Sequence, residues 1–143
     1  MANIIPFAFR GELFSGTHNF ASGGDSFKIA LYTTISGYST ASTTYLTANE
    51  VSSGGGSGYT TGGQVLGSQA VASGTAVASV DFADSSIASA TFSAAGAAIY
   101  NDDKSDKLCV VLDFGGSKTA TNGTFTIAFP DPSTPANAII SMS

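Results

Sequence analysis

Charged side chains are scarce in this sequence. Asp, Glu, Lys and Arg make up 10% of its 143 residues, whereas a typical soluble domain carries charge at about a quarter of its positions. The net charge is -5, and there are just five lysines and arginines. Because these few cations could not neutralise a run of phosphates, we expect no nucleic acid partner. An anionic membrane surface is disfavoured for the same reason.

Cysteine, histidine and tryptophan are almost missing. The chain has one cysteine, Cys109, one histidine, His18, and no tryptophan. A lone cysteine excludes an intrachain disulfide and a metal site built from cysteines. The first ten residues lack the basic and apolar regions of a secretory signal, and no stretch approaches the ~20 apolar residues of a membrane span. We therefore expect a chain that is made in a reducing cytoplasm.

Small and hydroxyl-bearing residues take the place of charge. Hydrophobic residues still account for 43% of the chain, which is enough for one packed core. A surface rich in Ser, Thr and Gly loses little hydration free energy when another protein covers it. This composition favours a protein that is packed against other protein, in a repeated assembly.

Alternation with a period of two dominates the hydrophobic pattern. In Phe27–Tyr32, for example, Phe27, Ile29 and Leu31 alternate with a second set of side chains, which predicts a half-buried strand. The predicted strands cover residues 27–32, 78–82, 89–93, 108–114, 124–129 and 138–142.

Turn-forming residues separate these strands at short intervals. Gly, Ser, Asn and Asp cluster at residues 22–25, 52–58, 62–63, 83–85, 115–116 and 122–123, and Asn101–Asp106 is predicted to be a hairpin loop. The segment Val51–Gly63 is the most flexible by composition. Many short strands at this spacing predict an all-β, single-domain antiparallel β-sandwich, of jelly-roll or immunoglobulin-like type, over residues 25–143.

Residues 1–24 are predicted to form a short N-terminal helix or arm of the same domain. Phe9, Leu13 and Phe14 are placed on one helix face, and Gly16 ends the helix.

The residues that could carry chemistry have simpler structural interpretations. The chain has no Gly-x-Ser-x-Gly motif that would present a serine nucleophile to His18. His18 is therefore predicted to cap or brace a turn before the first strand. Cys109 lies in an apolar run and is predicted to be a buried thiol. The three aspartates of residues 102–106 are interrupted by lysine and predict a solvated hairpin tip rather than a calcium loop. We therefore expect no enzyme activity, no cofactor, no metal and no small-molecule substrate.

Aromatic residues are the best candidates for contact with other proteins. Those near the amino end could anchor in a neighbouring subunit, and tyrosines in Ser/Thr-rich loops could form adaptable contact patches. The alternatives are an arm that packs over its own sandwich and ordinary exposed loops. The predicted interface residues are Phe7, Phe9, Phe14, Tyr38, Tyr45 and Tyr59.

Several local blocks, taken together, are similar to a known family. They are Leu13–Phe20, Phe27–Thr33, Asn49–Ser52, Ser57–Gly63, Ala98–Asn101, Leu112–Lys118 and Gly123–Ile127. Occurring in this order over most of the chain, they resemble a family of small virion proteins common in tailed bacteriophages.

The resemblance implies a structural virion component, and we favour a capsid cement or decoration protein. Its partners would be the major capsid protein and copies of itself, on the capsid surface, after synthesis in the host cytoplasm. One alternative is a tail, neck or fibre-base component. Another is a receptor- or glycan-binding module, which the lack of tryptophan, the favoured sugar-stacking residue, disfavours.

Overall fold

Two antiparallel sheets pack together to form the body of the protein. The computed structural model describes residues 2–74, 76–131 and 138–142. In the four-stranded sheet, β1 (Phe27–Tyr32), β2 (Gln64–Val65), β5 (Ser85–Asn101) and β6 (Lys107–Ile127) lie in the order β2-β1-β5-β6. The three-stranded sheet contains β3 (Ala70–Ser73), β4 (Ala78–Asp81) and β7 (Ile140–Met142) in the order β3-β4-β7. The predicted all-β architecture of packed antiparallel sheets is confirmed.

A short helix, α1 (Phe7–Phe14), precedes the sheets, as predicted. It ends in a Schellman motif: the N–H of Gly16 donates to the carbonyl of Leu13 at 3.3 Å, and that of Thr17 donates to Glu12 at 3.0 Å. Gly16 has a φ of 69°, which glycine adopts without a Cβ penalty. Within the described ranges, no helix has the length and apolar character needed to cross a bilayer.

The helix does not place its three apolar residues on one face as expected. Phe9 is fully buried and Leu13, four residues later, packs at the edge of the same core, whereas Phe14 is 89% exposed. Residues four positions apart, such as Phe9 and Leu13, lie on the same helix face. Phe14 comes one position later and points away from the core.

Strand β1 is buried on both faces, so the prediction of a half-buried strand is wrong. Phe27, Ile29 and Leu31 face the core between the sheets, as the alternation indicates. Ala30 and Tyr32, on the opposite face, are buried in a second cluster. The segment between β1 and β2 folds back over this face, which a pattern within β1 alone cannot show.

The two longest strands form one hairpin. Its loop contains a 3-10 turn at Asp102–Lys104, within the predicted loop. The pairs predicted to be turns at 115–116 and 122–123 instead lie inside β6, where Gly115 has a φ of 70° and Asn122 a φ of 48°. The predicted strands 108–114 and 124–129 are therefore mostly one strand. Gly-Gly and Asn-Gly supply positive φ, which a bulge uses as readily as a turn does.

The glycine-rich segment predicted to be the most flexible packs on the start of this hairpin. The Thr91 N–H donates to the Ser57 carbonyl at 2.9 Å. Gly58 lies so close to β5 that a Cβ there would be 2.6 Å from the Ser89 carbonyl oxygen. A glycine is needed for this approach, so the composition reflects close packing of the backbone as well as loop geometry.

Candidate functional site

A polar cluster joins the N-terminal segment to the hairpin; we name it the His18 cluster and define it as Glu12, His18, Asp25, Asn101 and Lys107. His18 and Asn101 are buried, and the other three residues are half-buried. His18 Nε2 lies 2.7 Å from Glu12 Oε2, and Asn101 Nδ2 lies 2.9 Å from both His18 Nδ1 and Asp25 Oδ2. Lys107 Nζ donates to the other oxygen of Glu12 at 2.5 Å.

Hydrogen bonding fixes the tautomer of the histidine. The Asn101 side-chain oxygen accepts the Asp103 N–H at 3.1 Å, so the amide NH₂ group faces His18. His18 Nδ1 is consequently the acceptor, and Nε2–H donates to Glu12. Both ring nitrogens of His18 are engaged within the fold.

Two carboxylates of the cluster are stabilised in their ionised form. Burial alone would raise the pKa of Glu12, but hydrogen bonds from Lys107 and His18 outweigh it and hold that pKa below 4.5. Burial acts in the same way on Asp25, where hydrogen bonds from the Asn19 N–H and Asn101 hold the pKa below 3.8. The His18 cluster therefore helps to hold the fold together at neutral pH.

The other residues considered for chemistry are also used by the fold. Burial raises the pKa of the Cys109 thiol well above 9.0, so the thiolate is suppressed. At the hairpin tip, Asp102 pairs with Lys28 at 3.0 Å, and Asp103 accepts the Ser26 N–H at 2.7 Å. In the part of the chain that the structure describes, no three His, Cys, Asp or Glu side chains are grouped to hold a metal ion.

A second polar cluster collects all five tyrosines of the chain around Glu50; we name it the tyrosine cluster. Tyr45 and Tyr59 donate to the two oxygens of Glu50 at 2.5 and 2.6 Å, and the Gly62 N–H donates at 2.7 Å. Burial, and then these bonds to the carboxylate, raise the pKa of Tyr45 and Tyr59 above 10.0. One carboxylate thus ties together distant parts of the segment between β1 and β2.

The remaining tyrosines extend this cluster. Tyr38 donates to the Tyr32 hydroxyl at 2.8 Å and accepts the Leu46 N–H at 3.0 Å. Tyr100 stacks on Tyr45 with ring centroids 4.6 Å apart. The hydroxyl groups of Tyr32 and Tyr38 thereby hydrogen-bond to each other and to the backbone beneath the segment between β1 and β2, instead of facing solvent.

The six predicted interface residues divide into three groups by their exposure. Phe9, Tyr38 and Tyr59 are buried in their own chain, with 0%, 4% and 4% of their surface exposed. Phe9 contacts the rings of His18 and Phe20. Tyr45 is half-buried in the tyrosine cluster.

The two phenylalanines of α1 that remain are exposed. Phe7 is 62% exposed and Phe14 is 89% exposed. The guanidinium carbon of Arg10 lies 5.3 Å from the centroid of the Phe7 ring. These two side chains are the part of the predicted interface that is available for contact.

The outer edge of β6 is a feature that the sequence did not reveal. Its first part is covered, since Ile4 and Val111 exchange two backbone hydrogen bonds at 2.8 and 2.9 Å, and Thr44 bridges to Lys107. Beyond Asp113, whose N–H donates to the Asn3 side-chain oxygen, no described strand pairs with this side of β6.

An open groove of about 580 Å³ runs beside this uncovered edge. Its apolar wall includes Phe114, Phe125, Phe129 and Ile139, and Thr124 and Thr126 line it from the strand itself. On its other side the groove is lined by Ala138 and Ile139, which come directly before β7.

A second groove of about 420 Å³ lies between the end of α1 and the three-stranded sheet. Leu13, Val71 and Met142 line it, together with Ser79. Among the residues that the structure describes, the buried Ser79 Oγ has no hydrogen-bond partner.

No protein-family model, curated protein or solved structure matches this chain. The resemblance to small phage virion proteins therefore stays a prediction.

Proposed function

We propose that this protein is a structural component of a tailed-bacteriophage particle, and specifically a capsid cement or decoration protein that bridges major capsid subunits. The observation that carries the proposal is the pair of exposed phenylalanines, Phe7 and Phe14, on a helix that is fixed to the sandwich. The sparse surface charge and the resemblance of the sequence blocks support it.

The helix that bears these side chains is held in several ways. Phe9 is buried beneath it, Glu12 bonds to His18 and Lys107, and the Schellman motif fixes its end. A partner that binds this surface therefore spends little free energy on ordering it. Burying one phenylalanine gains about 1.5–3 kcal/mol.

Many copies on one shell make such modest contacts effective. A cement protein requires no turnover, because it acts by burying surface on two or more neighbouring subunits at once. Contacts that are weak one at a time add once the geometry allows simultaneous engagement. In this proposal the partners are the major capsid protein and further copies of this chain, on the capsid surface.

The glycan-binding alternative loses part of its support. Sandwiches can bind sugars through loops that present Tyr, Asn and Asp, yet Tyr38 and Tyr59 are buried with their hydroxyl groups bonded inside the fold. A tail, neck or fibre-base position uses the same physical properties as a capsid position, and it is an outcome of the test below.

The test is binding to assembled shells that lack this protein, measured by co-sedimentation and by the heat resistance of the shells. We expect stoichiometric binding and a higher temperature of shell disruption. Replacing both Phe7 and Phe14 by Ser should weaken binding at least about a hundredfold, since the two anchors together contribute more than ~2.8 kcal/mol.

Val65→Ser is the matched control, because Val65 is 66% exposed but lies on β2. It should bind as the unmodified protein does. Failure of the unmodified protein to bind shells, with co-purification on isolated tails, would move the protein to the tail. A specific hit on a glycan array would favour receptor binding.

A further inference from the structure

We propose that the outer edge of β6, from Phe114 to Ile127, is a strand-addition site that pairs with an extended segment of a partner polypeptide. The inference rests on the proposed function in one respect, which is that it assigns the segment to a subunit of the shell. It adds a second contact surface to the exposed face of α1, as bridging requires.

The backbone of an edge strand makes this pairing possible. On the uncovered side of β6, alternate N–H and C=O groups point away from β5 and have no partner strand among the described residues. Such a row of groups is a template for another strand, and a chain that must stay alone protects it with charges, proline or a covering loop.

Within the described part of the chain, little of that protection is present. The stretch from Phe114 to Ile127 contains one charged residue, Lys118, and no proline. By contrast, the first part of the same edge is covered by Ile4 and Thr44. The β5 side of the hairpin is covered by the glycine-rich segment, through the bond between Thr91 and Ser57.

The regular part of the edge has a defined length. Gly115 and Gly116 have positive φ values, and so does Asn122, which marks a bulge in the pairing with β5. The stretch Gly123–Ile127 follows without a further bulge in β6. At about 3.4 Å per residue it offers roughly 17 Å of edge.

The groove beside the edge accommodates side chains of an added strand. In strand addition, main-chain hydrogen bonds provide affinity and pockets for alternate side chains provide specificity. Here Phe114, Phe129 and Ile139 form a half-buried apolar wall next to the unpaired backbone. The occupant is therefore an extended segment with apolar or small side chains at every second position.

Charge favours a partner other than a second copy of this chain. Each copy has a net charge of -5, so two copies repel one another at long range. Asp113 and Lys118 both line the groove, and Asp84 accepts the N–H of Phe129, which is another lining residue. The net charge of each copy therefore favours a neutral or basic segment over a second copy.

Hydrogen–deuterium exchange on the complete protein, free and bound to shells that lack it, tests the proposal. We expect those amides of Gly123–Ile127 that point away from β5 to exchange at least about tenfold more slowly in the bound state. The amides of β3, Ala70–Ser73, are the internal control, because this strand lies at an edge of the other sheet. Equal exchange at Gly123–Ile127 in both states would overturn the proposal.

A pair of variants provides a second readout. Thr124 is exposed and lines the groove, whereas Thr121 is exposed on the same strand but does not. Thr124→Trp should fill the groove and weaken binding to shells about tenfold, and Thr121→Trp should change it less than about twofold. Circular dichroism would establish that both variants fold.

The outcomes separate this inference from the proposed function. If the unmodified protein does not bind shells, both proposals fail. If it binds without protection of Gly123–Ile127, and Thr124→Trp binds normally, then only strand addition fails. Protection that grows with protein concentration in the absence of shells would identify a second copy as the occupant and would overturn the assignment to a shell subunit.

Discussion

Replacing Asn101 by Leu should destabilise the protein strongly, because this fully buried side chain is the centre of the His18 cluster. The substitution keeps the branching and the number of side-chain heavy atoms but removes the two bonds from Nδ2 to His18 and Asp25 and the acceptor of the Asp103 N–H. A buried polar group left without its partner costs about 1–3 kcal/mol.

The total follows from the partners that lose a bond. Asp25 keeps the bond from the Asn19 N–H, so the main losses fall on His18 Nδ1 and the Asp103 N–H. We expect a loss of about 3 kcal/mol in the free energy of unfolding. For a domain of this size that corresponds to a decrease of roughly 10 °C in the melting temperature.

Thermal unfolding followed by circular dichroism measures this decrease, and trypsin gives a local readout. Arg10 lies in α1, so loosening of the N-terminal segment should expose the bond that follows it to cleavage. Asn3→Leu is the control, since it removes one exposed hydrogen bond to Asp113, and it should change the melting temperature by less than about 3 °C. If Asn101→Leu melts and resists trypsin as the unmodified protein does, the His18 cluster does not anchor the segment.

Three further predictions concern pH, backbone geometry and the thiol. The carboxylates of Glu12 and Asp25 have folded pKa values below 4.5 and 3.8, so their stabilising contribution is complete above these values and is lost as the pH falls through the folded pKa values. Urea midpoints should therefore decrease below pH 4.5, and less steeply in Glu12→Gln; equal slopes would contradict the reasoning. Gly58→Ala should destabilise by at least about 1 kcal/mol more than Gly55→Ala in urea unfolding, because both glycines have positive φ but only Gly58 lies against a backbone oxygen of β5. Equal losses would count against that contact. Cys109 should react with a thiol reagent only after unfolding, since it is buried and its pKa is raised; rapid labelling of the native protein would refute its burial.

Local patterns predicted the fold where local physics decides it. The alternation in residues 27–32 marked β1 correctly, and the polar run between residues 101 and 106 marked the hairpin loop. Positive-φ pairs at 115–116 and 122–123 were misassigned as turns, because a bulge and a turn make the same demand on the backbone. The choice between them depends on what the rest of the chain pairs with.

The polar clusters could not be predicted, because their partners are far apart in the sequence. His18 and Asn101 are separated by 83 positions, and nothing local to either residue indicates the other. The tyrosines were misplaced for a related reason, since Ser/Thr-rich neighbours are typical of exposed loops. Glu50 collects Tyr45 and Tyr59 beneath such a loop, and a single glutamate in a sequence carries no sign of this role.

The bonds that hold α1 in place also set an order of events during synthesis. Glu12 can bond to Lys107, 95 positions later in the chain, only after Lys107 has been synthesised. His18 likewise requires Asn101. On the ribosome, Phe9 and Phe20 therefore emerge long before the hairpin that completes their enclosure. Until the hairpin has been made, these aromatic side chains lack the partners that bury them, and chaperones have access to them. The contacts that dock α1 therefore cannot be completed until the hairpin has been made, although α1 precedes the hairpin in the chain.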